Sequence, residues 1–137
     1  METIDRLKDL DAPELLTALI MGEAEAEPFV SKLAVGLTVK NRVKDKRWPD
    51  TWPAVMLQRK QFSCFLPEFF RPEIIQIHWH SLPWKECKAV AFMVLNNYVG
   101  DVTAGANHYF ATWSKTPYWA KGETPVFEAG QHVFFKL

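Results

Sequence analysis

Two apolar runs joined by an acidic stretch constrain this chain more than any other feature. Ala18-Leu19-Ile20-Met21 leads into Gly22-Glu23-Ala24-Glu25-Ala26-Glu27-Pro28, and Leu33-Ala34-Val35-Gly36-Leu37-Thr38-Val39 follows. Both runs predict core helices, and the second is apolar nearly all round, as a central buried helix should be. Pro28 disfavours helical backbone at Glu27, so the chain should turn through residues 24–27. Glu23 then sits at or just past the end of the first helix, at the edge of a hydrophobic wall. A carboxyl group there is penalised in its charged form and can donate a proton near neutral pH. A solvated turn carrying three ordinary carboxylates is the competing reading, and this stretch by itself leaves both open.

The flanking sequence extends the pattern. Asp11-Ala12-Pro13-Glu14 offers an N-cap, an early proline and a glutamate at N3, and Leu15, Leu16, Leu19 and Ile20 follow at helical spacing. The second helix should run from about Pro28 to Lys44. Near its end, Asn41 and Arg42 either point outward or reach toward the acidic joint. Asp50 or Thr51 should cap a short helix through Leu57, and Gln61 to Pro67 reads as an irregular loop. A further short helix is expected from Arg71-Pro72 to His80. Ser81 and Pro83 open a long helix that Gly100 should stop. The last third changes character: a small-residue loop at Asp101 to Ala106, then short β-type runs at residues 107–110 and 131–135.

A chain of 137 residues suits one domain, spanning 1–137, with a real core. The 16 Lys+Arg and 16 Asp+Glu balance, so no global field draws the chain to nucleic acid or an anionic membrane. With six Trp and ten Phe, some rings exceed what a small core needs, and flat aromatic faces suit carbohydrate, although core filling is the default for any single ring. Cys64 and Cys87 lack metal or redox spacing and are expected as buried free thiols. The start carries no apolar segment of the signal-peptide kind, and no run is long enough to span a bilayer. Synthesis in the cytoplasm without a signal peptide is the expectation.

Several stretches in order resemble the SleB-like cell-wall hydrolase family, the catalytic domain of spore-cortex lytic enzymes and of some phage lysins. They are Glu23-Ala24-Glu25-Ala26-Glu27-Pro28, Lys40-Asn41-Arg42-Val43, Gln61-Phe62-Ser63, Asp101-Val102-Thr103-Ala104-Gly105-Ala106, His108-Tyr109 and His132-Val133-Phe134. The family has Arg-Gly where this chain has Glu25-Ala26, and Pro and Gly at Val102 and Ala104. Residues 65–88 match no family pattern.

The resemblance implies a mostly helical α+β domain, lysozyme-like and lytic-transglycosylase-like, with a small β-hairpin in the C-terminal third. It implies cleavage of peptidoglycan glycan strands between N-acetylmuramic acid and N-acetylglucosamine, by a lytic transglycosylase leaving 1,6-anhydromuramic ends. Glu23 is then the catalytic acid and later base, and no metal or cofactor is needed. Glu27, Gln61, Ser63, His108 and Tyr109 are the candidate substrate-binding residues. Glu27 also has a structural alternative, bonding backbone N–H groups at the start of the second helix. Asn41 and His132 are read as structural. The expected setting is a phage endolysin acting as a monomer on the wall, with no nucleic-acid or membrane partner.

Three alternatives stand beside this. A hydrolysing muramidase would need a second carboxylate from Glu25, Glu27 or Asp101. A zinc amidase could be imagined on His78-Trp79-His80, but residues two apart diverge on a helix. A glycan-binding module of weak activity would use Trp48, Trp52, Trp113 and Trp119.

Overall fold

The computed structural model describes residues 6–58, 61–75 and 81–137. Helix α1 (Ala12–Ala24) begins with a complete capping box. The Glu14 N–H donates to the Asp11 carboxylate at 2.9 Å, and the Asp11 N–H donates to the Glu14 carboxylate at 3.2 Å. From Leu15 to Met21 every α1 residue is buried, so this helix has no solvent face over two turns. Helix α2 (Phe29–Lys44) is buried continuously from Ser31 to Val39, as its all-round apolar sequence predicts. Helix α3 (Trp52–Met56) is short and is capped by the Thr51 hydroxyl.

Helix α4 (Leu82–Leu95) starts on the Ser81 cap and packs against α1 and α2. Buried Lys32 of α2 reaches Glu86 of α4 at 2.7 Å, which gives its charge a partner inside the helical layer. The helix stops five residues before Gly100. Asn96 forms the C-cap, with its side-chain amide on the Phe92 carbonyl, and Asn97 takes the left-handed conformation at φ 59°. Asparagine tolerates that geometry, so the expected glycine stop is not used. The helix expected from Arg71-Pro72 is a single 3₁₀ turn over Pro72–Ile74; its remainder, with His78 and His80, falls outside the described residues. No helix among the described residues is long and apolar enough to cross a membrane.

The C-terminal third carries three antiparallel strands: β1 (His108–Ala111), β2 (Phe127–Ala129) and β3 (His132–Phe135), in the order β1-β3-β2. The sequence patterns at residues 107–110 and 131–135 mark β1 and β3, which pair directly with Tyr109 opposite Phe134. The hairpin itself is β2–β3, turning at Gly130-Gln131. Its third strand was illegible because three residues around exposed Glu128 are too few for an alternation. Gly130 has φ 55°, and a β-carbon there would fall 2.3 Å from Glu27 Oε1, so this turn requires glycine twice over.

Cys64 and Cys87 are both free and buried. Cys64 follows from Gly22 in α1: a β-carbon at Gly22 would lie 2.5 Å from Cys64 Cβ and 2.8 Å from its Sγ. The missing side chain lets the 61–75 segment press directly on the helix beside Glu23. Gly22→Ala would gain about 1 kcal/mol of helix propensity, but overpacking a rigid contact costs about 1–3 kcal/mol. The clash should win. The variant is expected to unfold at lower denaturant with an unchanged slope. A variant at least as stable as wild type would show that the contact is loose.

Candidate active site

Glu23 sits in the last turn of α1 on a cleft of about 550 Å³. Most of its lining comes from the end of α1, the 61–75 segment, and β1 with the loop that follows it, with Arg42 of α2 and His132 of β3 at its border. Each carboxylate oxygen of Glu23 faces one hydroxyl. The Tyr109 hydroxyl donates to Oε1 at 3.0 Å, and the Ser63 hydroxyl approaches Oε2 at a long 3.4 Å. Burial pushes the Glu23 carboxyl up to about 6, against the opposing pull of those two hydroxyls. Tyr109 is pushed well above its ordinary range by burial and by Glu23, so it serves as a neutral donor. With Oε1 engaged by Tyr109, the carboxyl proton belongs on Oε2, the oxygen with the weaker partner.

Gln61 and Ser63 also line the cleft, on the same segment. The Gln61 side-chain oxygen accepts from Arg42 Nη1 at 3.1 Å. A guanidinium only donates, so this bond fixes the amide orientation and leaves the Gln61 –NH₂ as the group to offer a ligand. Arg42 is buried at the end of α2, where its Nε donates to the Asn107 carbonyl at 2.7 Å. Its guanidinium also lies over the rings of Trp48 and Phe62, at 5.4 and 5.2 Å. Arg42 therefore points neither outward nor to the acidic joint. Its hint was a guanidinium at the end of an otherwise buried helix. Asn41 is structural as read, donating to the Ala106 carbonyl at 2.8 Å and to Asp101 at 3.0 Å.

Two of the expected substrate-binding residues stand apart from the cleft. Glu27 Oε1 accepts from the Gln131 N–H at 2.7 Å and meets His132 Nδ1 at 3.0 Å. Burial pushes this carboxyl up, but the Gln131 N–H and His132 together hold it below the ordinary range. Glu27 thus ties the β2–β3 turn to the joint; its hydrogen bonds run to Gln131 and His132 rather than to backbone N–H groups at the start of α2, where the Ser31 side chain also helps hold its carboxyl down. His108 alternates away from the cleft on β1. Its Nδ1 pairs with Asn107 Oδ1 at 2.8 Å, and its ring packs against Trp119 and Trp48. Burial, then Arg42 and Arg47, push His108 down to about 4. His132, read as structural, does so through Glu27 and also borders the cleft.

The other carboxylates are engaged elsewhere. Glu25 pairs with Arg71 at 3.3 Å. Asp101 accepts from the backbone N–H groups of Thr103 and Gly105 and from the Thr103 hydroxyl, and so shapes its own loop. Among the described residues Glu23 is the only acid lining the cleft, and no group of three or more His, Cys, Asp or Glu is placed to hold a metal ion. Of the four tryptophans suggested for a binding groove, Trp48 and Trp52 are half-buried against the core. Trp119 packs among His108, Phe110 and Phe135 at the cleft wall, and Trp113 stands exposed.

The fold is that of solved SleB catalytic domains. It superposes on the catalytic domain of the Bacillus cereus SleB protein with a TM-score of 0.71 at 22% identity, covering 91% of this chain and 89% of that one. For the germination-specific lytic transglycosylase SleB from Bacillus anthracis the values are 0.73, 22%, 91% and 93%. In sequence it is 23% identical over 123 residues to the spore cortex-lytic enzyme of Bacillus cereus, covering 90% of this chain and 43% of that protein. The Halalkalibacterium halodurans spore cortex-lytic enzyme is 23% identical over 121 residues, covering 88% of this chain and 33% of that one. The chain therefore spans less than half the length of these relatives. A family model described as Cell Wall Hydrolase matches residues 26–135, opening three residues beyond Glu23, so the case for that glutamate rests on its geometry. By that match over most of its length, the chain belongs to the cell wall hydrolase family.

Proposed function

We propose that this chain is a peptidoglycan-cleaving catalytic domain over 1–137, acting as a monomeric lytic transglycosylase with Glu23 as its single acid–base. The observation that carries the proposal is one carboxyl, raised to about 6, alone among the acids of the described residues in a cleft of sugar-binding size. Protonated Glu23 would give its proton to the glycosidic oxygen as the bond from muramic C1 to that oxygen breaks. The muramic 6-hydroxyl would then close onto C1 and return its proton to Glu23. No water is consumed, and the substrate supplies the nucleophile. Tyr109 and Ser63 would steady the carboxylate between the two steps, and the Gln61 amide would donate to an acetamido oxygen.

A hydrolysing muramidase needs a second carboxylate roughly 5–10 Å from the first. The engagement of Glu25, Glu27 and Asp101 outside the cleft favours the transglycosylase. The endolysin setting expected from the sequence belongs to the same proposal. Its test is lysis of an expressing host only when the membrane is permeabilised.

Two measurements test the chemistry. Fragments released from purified sacculi should be lighter by one water than muramidase products and should resist borohydride at their muramic ends. Reducible muramic ends on all fragments would make the enzyme a hydrolase. Wall clearing should also decline as pH rises above about 6, because the donor form of Glu23 is then lost.

Glu23→Gln separates function from stability. Activity should fall by about 10²–10⁴-fold or more. The folded carboxyl lies above its unfolded value of 4.5, so its favourable contribution is complete below 4.5 and is lost as pH rises through about 6. Glutamine escapes that loss. The variant should match wild type near pH ~4 and exceed it by roughly 1–2 kcal/mol near pH ~8. An active variant, or one that is less stable at both pH values, would show that Glu23 is not a strained acid.

A further inference from the structure

Two aromatic side chains on the cleft are left in water. Phe69, from the 61–75 segment, is 62% exposed, and Trp113, just after β1, is 77% exposed. The two segments that present them are those that hold Glu23. Ser63 lies six residues before Phe69, and Tyr109 lies four before Trp113. Their neighbours are not exposed in this way. Phe62 is buried under Arg42, while Phe110 and Trp119 are packed against Phe135. Core packing therefore accounts for those rings, whereas Phe69 and Trp113 stay largely exposed among the described residues. Exposed apolar surface bordering a polar cleft marks a ligand site. A sugar ring has an apolar C–H face and a hydroxylated edge. An aromatic plane can cover the first while polar groups such as the Gln61 amide take the second.

We infer that Phe69 and Trp113 are stacking platforms for sugar rings of the glycan strand, one on each of the two segments that clasp Glu23. The inference rests on the proposed function and extends it, because it makes the site one that grips several sugar units of a chain. The strand would be bound across the acid, and short fragments that reach only one platform would be poor ligands.

The test uses the full chain carrying Glu23→Gln, so that binding is read without turnover. The ligands are peptide-free glycan strands and oligomers of N-acetylglucosamine, followed by calorimetry and by Trp fluorescence. Phe69→Ala and Trp113→Ala should each weaken binding by about tenfold. Trp113 emission should shift on binding. Phe92 and Tyr98 are the control, an aromatic pair 56% and 69% exposed that does not line the cleft. Phe92→Ala and Tyr98→Ala should bind like the parent. Equal binding by all four variants would overturn the platforms, whatever the wall-clearing assay gives. If the platform variants lose binding while the chain with Glu23 intact clears no walls, the platforms stand and the transglycosylase proposal fails.

Discussion

The chemistry proposed for the cleft depends on the desolvation of one carboxyl group. Helix α1 has no solvent face from Leu15 to Met21, and Glu23 comes two residues after that wall. A carboxylate at such an edge loses hydration that two hydroxyl contacts only partly replace. Its proton is retained to about pH 6.

The rest of the fold brings partners to that point. Gly22 removes the side chain that would hold Cys64 away, so the following segment reaches Glu23 with Ser63. Glu27, four residues along, locks the β2–β3 turn through Gln131 and His132. Strand β3 in turn fixes β1 in register, and β1 delivers Tyr109 to Glu23. Two glutamates of one joint therefore hold the same sheet, Glu23 through β1 and Glu27 through β3 and the turn before it. They act oppositely on stability. Glu27 is depressed, so its contribution is present above the unfolded carboxylate pKa and lost as pH falls through its folded value. Glu23 is raised and loses its contribution as pH rises through about 6.

The helical half was legible in the sequence because its signals are local. The Asp11–Glu14 box, the Ser81 cap and the all-round apolar second run each fix an element from within a few residues. The apolar run ending at Glu23 was legible for the same reason, but that stretch left a solvated turn open, and the family resemblance chose Glu23 as the candidate acid. What was hidden depends on distant pairing. Glu27 looked like a partner for the adjacent helix, yet it bonds residues more than a hundred positions away. His108 shares a strand with Tyr109, and alternation sends it to the other face, into Trp48 and Trp119. Arg42 was placed by Asn107 and Gln61, neither of which announces an arginine partner. Phe69 carried no signal, because an exposed ring and a core ring look alike in sequence.

The account stands or falls on the ionisation of Glu23. Carbon-13 labelling of glutamate side chains, with the signal assigned through Glu23→Gln, allows that carboxyl to be titrated directly by NMR. A midpoint near 6 is expected, with Glu27 titrating below the ordinary carboxylate value. A Glu23 midpoint at or below the ordinary value of 4.5 would mean that the group is solvated and ionised at neutral pH. The end of α1 would then be a turn and not an acid.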